Sequence, residues 1–395
     1  MASASGLVAP RVVDADSHIL EPADIWTSRV ASRYAELAPR VEKSPRTGHH
    51  HWRIGSKWIW PVGYFGQAGF SEYPPLQPTE YDEVQTSTYD PQERLKRMDE
   101  YGITVQILYP NIVGFQAPLL LEIGEDFALE CTRAYNDFSR DWSSADPARL
   151  IPMAMLPYWD VEAAVKEMHR CYEMGFRGVL FANKFERVGL PGFTDSYWDP
   201  VYATAQEMDI PVNYHVGFSS TEAAETLSEA SIESKRADAV KSRPSRATWA
   251  CTLLMSQTDV LGQLLISDLC ERFPSVKLVS VESGFGHIPF YLECLDWHWR
   301  AYGNAKRSLL PSEYFARQCY GTFWFERSTL PLLDRYPDNF MYSTDYPHST
   351  GGAPGPASPA VQPSDYVAEA FAELDAAVAE KAISGNATRL YKLDQ

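Results

Sequence analysis

Four residues of this chain have the types and spacing to hold one divalent cation. Asp16 and His18 close an apolar, β-branched run near the start, His215 closes a second run (Pro-Val-Asn-Tyr-His-Val), and Asp345 follows a third near the far end. Side chains two apart on a strand point to the same face, so Asp16 and His18 converge. Carboxylate oxygens with imidazole nitrogens suit Zn²⁺, with Mn²⁺ second. Taken singly, each has a plainer role open to it: Asp-Ser-His is a strand-end turn, His215 a satisfied core histidine, Asp345 a cap on loop amides. Three strand ends that all close on metal-binding residues describe one centre assembled from distant sequence, and therefore an enzyme.

The elements that must position these residues follow from the hydrophobic pattern. Strands are expected near 11–16, 103–109, 150–155, 177–182, 211–216, 276–282, 318–324 and 339–344, with helices near 91–100, 121–143, 160–174, 197–208, 248–272, 287–301 and 365–383. Asp90-Pro91-Gln92-Glu93 reads as a capped helix start, and Gly102, Gly175 and Gly385 as helix ends. Eight strands alternating with helices define an α/β chain, a (β/α)₈ TIM-like barrel in one domain over 1–395. An open doubly wound sheet is the competing architecture. Residues 40–88, rich in Trp, Tyr and Gly, and the polar stretch 217–247 are expected as insertions after strands 1 and 5. Both fall at the barrel face where active sites are built.

Composition narrows the function. A formal charge of −17 without a Lys/Arg cluster argues against nucleic acid and anionic membrane as partners. Six scattered cysteines with no C-x-x-C make a disulfide framework improbable and fit a cytoplasmic protein. Met1 to Pro10 show no secretion signal, and no apolar stretch is long enough to span a bilayer. The partner expected is a small-molecule substrate.

Longer motifs carry a family resemblance. Val13-Asp14-Ala15-Asp16-Ser17-His18-Ile19-Leu20-Glu21-Pro22, Arg149-Leu150-Ile151-Pro152, Gly175-Phe176-Arg177-Gly178-Val179, Val281-Glu282-Ser283-Gly284, Ser343-Thr344-Asp345-Tyr346-Pro347-His348 and Gly385-Asn386-Ala387 resemble the amidohydrolase-2 family, which contains aminocarboxymuconate-semialdehyde decarboxylase. The resemblance implies a barrel with one divalent metal, usually zinc and sometimes manganese. It implies Asp16, His18 and His215 as ligands, Asp345 as a ligand to the metal or its water, and His348 beside the site. It also exposes a departure, because family decarboxylases place a catalytic His at the end of strand six, where this chain has Glu282. Glu282 is accordingly expected to take acid/base work together with Asp345, and His287 to serve as a substitute imidazole or to face solvent at a helix start.

An acidic substrate needs cations, for which Arg53 and Lys57 in the first insertion and Lys184 after strand four are the candidates. Trp52, Trp58, Trp60 and Trp324 offer an apolar wall, and His49-His50-His51 a solvated loop. Without the strand-six His, the sequence favours a metal-dependent hydrolase acting through activated water on an aromatic or carboxylated substrate. Non-oxidative decarboxylation is the close alternative, hydration is third, and a metal-free binding protein the reading from another class. A homodimer is expected, with Tyr291, Trp297 and Trp299 of the 287–301 helix as a contact.

Overall fold

The structure is a computed structural model that describes residues 11–185, 189–218, 227–303 and 307–394. The expected start, Met1 to Pro10, and 219–226 of the second insertion lie outside the described residues. Twelve strands are labelled here in chain order: β1 (Val13–His18), β2 (Arg40–Lys43), β3 (His50–Ile54), β4 (Lys57–Pro61), β5 (Val105–Tyr109), β6 (Leu150–Pro152), β7 (Ala154–Met155), β8 (Val179–Leu180), β9 (Val212–His215), β10 (Leu278–Val281), β11 (Cys319–Phe323) and β12 (Phe340–Tyr342).

All eight expected barrel strands form, and they pair in parallel in chain order. β6 and β7 are one run broken at Met153. Its N–H donates to Leu108 O (3.0 Å) while Ala154 N–H donates to Gly178 O (3.1 Å), so the run joins β5 on one edge and β8 on the other. The ring closes where Asp345 N–H donates to Asp16 O (2.8 Å) and His18 N–H to Tyr346 O (2.6 Å). Because that seam ties the first strand to the last, the open doubly wound alternative is excluded. Both faces of each barrel strand are buried, which is why the strands read as continuous apolar runs rather than alternating ones.

Gly102 and Gly175 end helices in the left-handed region as expected, whereas Gly385 has right-handed backbone (φ −59°) and leads straight into the helix Asn386–Tyr391. Asp90 accepts from the Gln92 and Glu93 amides, Pro91 opens the helix Pro91–Tyr101, and Gly102 closes it in the left-handed region (φ 71°). The helix expected over 365–383 is broken into Pro363–Ala370 and Ala376–Glu380, and two further expectations are revised. The segment expected over 248–272 is three helices, Ala239–Met255, Gln257–Ile266 and Leu269–Arg272. The helix Pro311–Gln318 was not foreseen, being barely two turns long.

The first insertion is a three-stranded antiparallel sheet, β2–β3–β4. It buries Trp52 and Trp60, with Trp52 edge-on to Trp26 at 5.6 Å, so these two rings are packing rather than ligand wall. His50 and His51 lie in β3 instead of a solvated loop, and buried His51 uses Nδ1 on Ile59 O at 2.8 Å. No helix among the described residues is long and apolar enough to cross a membrane, and all six cysteines are free.

Candidate metal centre and substrate cavity

Asp16, His18, His215, Glu282 and Asp345 all stand at the C-terminal ends of β1, β9, β10 and β12, on one rim of the barrel. A bulge in β1 between Asp14 and Ser17 re-aims the side chains at that rim. His18 Nε2 and His215 Nε2 lie 3.0 Å apart. His18 Nε2 is 3.6 Å from Asp16 Oδ1 and from Asp345 Oδ1, and His215 Nε2 is 3.7 Å from Asp16 Oδ1 and 3.6 Å from Glu282 Oε2.

Two observations show that these residues fit a cation. His18 Nδ1 contacts Pro110 O (3.2 Å) and His215 Nδ1 contacts Val216 O (2.9 Å). A carbonyl only accepts, so both Nδ1 atoms carry the proton and both Nε2 lone pairs face inward at each other. In addition, both oxygens of Asp16 and Oδ2 of Asp345 are buried without a hydrogen-bond donor among the described residues. Buried lone pairs and carboxylates converging on one point are costly unless a positive charge sits between them.

The electrostatics agree. Burial pushes the Asp16 and Asp345 carboxyls above their ordinary range, and Glu282 up to about 8. Burial drives His18 and His348 well below the ordinary imidazole value. Burial also opposes charging His215, but Asp16 and Glu282 beside it outweigh that and leave its pKa raised.

His348 stands beside the site as expected, and behind it lies a supporting layer that the sequence reading did not single out. His348 Nε2 donates to Asn111 Oδ1 (2.9 Å), and its Nδ1 lies 2.9 Å from Asp345 Oδ1. Asn111 is fixed by Glu21, whose carboxylate accepts from the amides of Asn111 (2.7 Å) and Ile112 (2.8 Å). Arg94, fully buried, donates to His18 O (2.8 Å), Ser87 O (2.6 Å), Thr88 O (3.1 Å), Ser17 Oγ (3.3 Å) and Gln106 Oε1 (3.2 Å). Asp14 accepts the Thr344 amide (2.7 Å) and Gln106 Nε2 (2.9 Å), tying β12 to β1 beneath the metal residues. The roles of Glu21, Arg94, Asn111 and Asp14 were missed because partners in this layer lie up to 330 positions apart.

Glu282 and His348 open onto a cavity of about 840 Å³. Its walls are Tyr64 and Phe65 after β4, Phe115, Trp324 and Phe325, and one side of the helix Ala239–Met255. Of the expected substrate cations none lines it. Arg53 is spent on Glu42 (2.7 Å) and stacks on Trp58, Lys57 points outward near Glu122 (3.9 Å), and Lys184 lines a separate cavity of about 180 Å³. The cations that do line it are Arg243 and Arg246, within a stretch read only as a polar insertion. Trp324 alone of the four expected wall tryptophans is there. His287 precedes the helix Ile288–Ala301 without a side-chain capping bond and is not among the lining residues.

A closed parallel barrel with a carboxylate–imidazole cluster on its C-terminal rim defines the metal-dependent barrel enzymes. The family model described as Amidohydrolase matches residues 47–393, and the chain belongs to that family of enzymes. A curated relative, the gamma-resorcylate decarboxylase of Polaromonas sp. (strain JS666), is 29% identical over 337 residues, 80% of this chain and 92% of its own. Among solved structures, an amidohydrolase from Mycobacterium avium subsp. paratuberculosis superposes with a TM-score of 0.72 at 17% identity, covering 98% of this chain and 100% of that one. A dihydroxybenzoic acid decarboxylase from Polaromonas sp. JS666, with bound manganese and the inhibitor 2-nitroresorcinol, superposes at 0.60 with 18% identity and 98% coverage of both chains. These comparisons favour the decarboxylase alternative over the hydrolase that the missing strand-six His had put first.

Proposed function

We propose that this enzyme is a non-oxidative carboxy-lyase that removes CO₂ from a hydroxylated aromatic carboxylic acid, using one divalent metal. The observation that carries the reading is the alignment with gamma-resorcylate decarboxylases along nearly their whole length, joined to a rim that gathers buried carboxylates and imidazoles within reach of one cation. Asp16, His18 and His215 would hold the metal, with Asp345 completing the set. When bound, the cation supplies the positive charge on which a substrate's carboxylate and neighbouring hydroxyl are held. Zinc was the first expectation from sequence; manganese is the metal bound in the Polaromonas dihydroxybenzoic acid decarboxylase, and elemental analysis decides between them.

The chain's own residues account for the proton. Loss of CO₂ from an aryl carboxylate leaves an electron pair on the ring carbon, which takes up one proton. Glu282, raised to about 8, keeps that proton at neutral pH in the cavity wall and replaces the imidazole other members place there. Its partial shielding from water strengthens the interaction with the developing ring charge. Asp345 and His348 hold their relative orientation through Asn111 and Glu21, and the aromatic walls exclude bulk water. His287 has no part in this reading.

The test is product analysis. Protein loaded with Mn²⁺ or Zn²⁺ is incubated with hydroxybenzoates and hydroxynaphthoates, and separately with aryl amides and esters. Release of CO₂ with formation of the phenol supports the proposal, whereas cleaved amides or esters without CO₂ restore the hydrolase. We also propose a homodimer: of the expected contact residues Trp297 is exposed, with Phe290 and Tyr302 exposed nearby, whereas Tyr291 packs against the core and Trp299 lies under Arg307; light scattering checks it.

A further inference from the structure

The cavity is far larger than a one-ring acid requires, and its two ends differ in chemistry. About 840 Å³ falls in the upper part of the range that holds drug-sized ligands, about 300–1,000 Å³. At one end stand Glu282 and His348. At the other, Arg246 donates Nη2 to Tyr64 OH (2.7 Å) and lies over Trp249 (4.4 Å), while Arg243 lies over Tyr73 (5.6 Å) with its Nε buried and unpartnered. Neither guanidinium is ion-paired with a carboxylate among the described residues.

A row of rings runs between the two groups. Tyr64 contacts Phe65 at 5.0 Å between centroids, and Phe65 contacts His348 at 4.8 Å. Arg246, bonded to Tyr64, is thus joined to His348 through two ring contacts, Arg243 lies against Tyr73, and neither arginine pairs with the metal residues among the described residues. A chain of charge −17 that places two guanidinium groups without a carboxylate partner in an apolar wall provides for an anion at that place.

Resting on the carboxy-lyase reading, we infer that the substrate is an elongated aromatic acid of two or more rings. Its reacting hydroxy-carboxylate end lies at Glu282 and the metal residues, its apolar body lies along Phe65 and Trp249, and a second acidic group at its far end is bound by Arg243 and Arg246. The excursion that carries the helix Ala239–Met255 is thus the specificity element of this member.

Binding to Mn²⁺-loaded protein, measured by calorimetry, tests this with three ligands: salicylate, phenylsalicylate and (carboxyphenyl)salicylate with the second carboxylate para. Affinity is expected to rise at each step, by about tenfold or more over the series. In the double variant Arg243→Gln/Arg246→Gln, whose fold is checked by circular dichroism, the gain from the distal carboxylate vanishes while the gain from the added ring persists. Arg243→Lys/Arg246→Lys retains part of the carboxylate gain. Equal affinity for all three ligands, or a carboxylate gain that survives in the double glutamine variant, overturns the inference. Absence of CO₂ from every acid would instead sink the carboxy-lyase reading, and leaves the binding order to be judged alone.

Discussion

Replacing Arg94 tests how the rim of β1 is held in place. Its guanidinium makes five hydrogen bonds inside the protein, two of them to His18 O and Ser17 Oγ. Lysine would keep the charge but brings three donors, so at least two buried acceptors lose their partner. At about 1–2 kcal/mol for each acceptor left unpaired, Arg94→Lys should lower stability by about 2–4 kcal/mol. Methionine fills a similar volume and removes the buried charge, whose desolvation already lowers the Arg94 pKa to about 10. It strands every acceptor, however, and the expected loss is on the order of 3–5 kcal/mol. Urea titration followed by tryptophan fluorescence reads both, with eleven tryptophans as reporters. Because Arg94 grips the backbone of a metal residue, Mn²⁺ affinity should also fall by about tenfold or more. Both variants lying within about 0.5 kcal/mol of the parent, with metal affinity unchanged, would refute the idea that this network sets the ligand geometry.

Other outcomes follow from the site. Asp16→Ala/His18→Ala should drop the metal content from near one equivalent to almost none by elemental analysis, and retained metal would displace the proposed centre. Glu282→Gln should cut turnover by about 10²–10⁴-fold while leaving the fold intact by circular dichroism; a change under about threefold would move the proton to another group. Burial raises Glu21 to about 7 against amide donors that lower it. The folded state then holds more protons than the unfolded one between about pH 4.5 and 7, so stability is full below that window and falls as pH rises through it, by about 3 kcal/mol at most. Glu21→Gln should remove that component of the slope, and a pH profile of stability identical to the parent would count against the buried carboxylate as its source.

Much of the barrel was legible because its strands are buried on both faces and so write themselves as apolar runs. The residues ending β1, β9 and β12 could be picked out because metal-binding types stand where the runs stop. Their companions could not. Arg94 and Asn111 are ordinary polar residues until the ring closes and brings β1 against β12. The aromatic insertion suggested a ligand wall, yet Trp52 and Trp60 were needed to give a small antiparallel sheet its own core. Arg53 and Lys57 looked available because the acids that engage or face them, Glu42 and Glu122, come from other turns of the chain. Arg243 and Arg246 were overlooked for the opposite reason, since a polar helix on the surface and a helix walling a cavity share the same composition.

Glu282 and Asp345 both adopt left-handed backbone, with φ of 55° and 51°. A side chain in that region costs on the order of 1 kcal/mol, more for glutamate than for asparagine or glycine. The two acids that matter most therefore stand where other residues would suit the backbone better. Asparagine or glycine at position 282 would relieve both the torsion and the buried acid, giving a sturdier barrel that does nothing. A lineage released from the demand for turnover would drift that way. In relatives that share this glutamate, its replacement by asparagine or glycine would thus be expected to accompany loss of turnover.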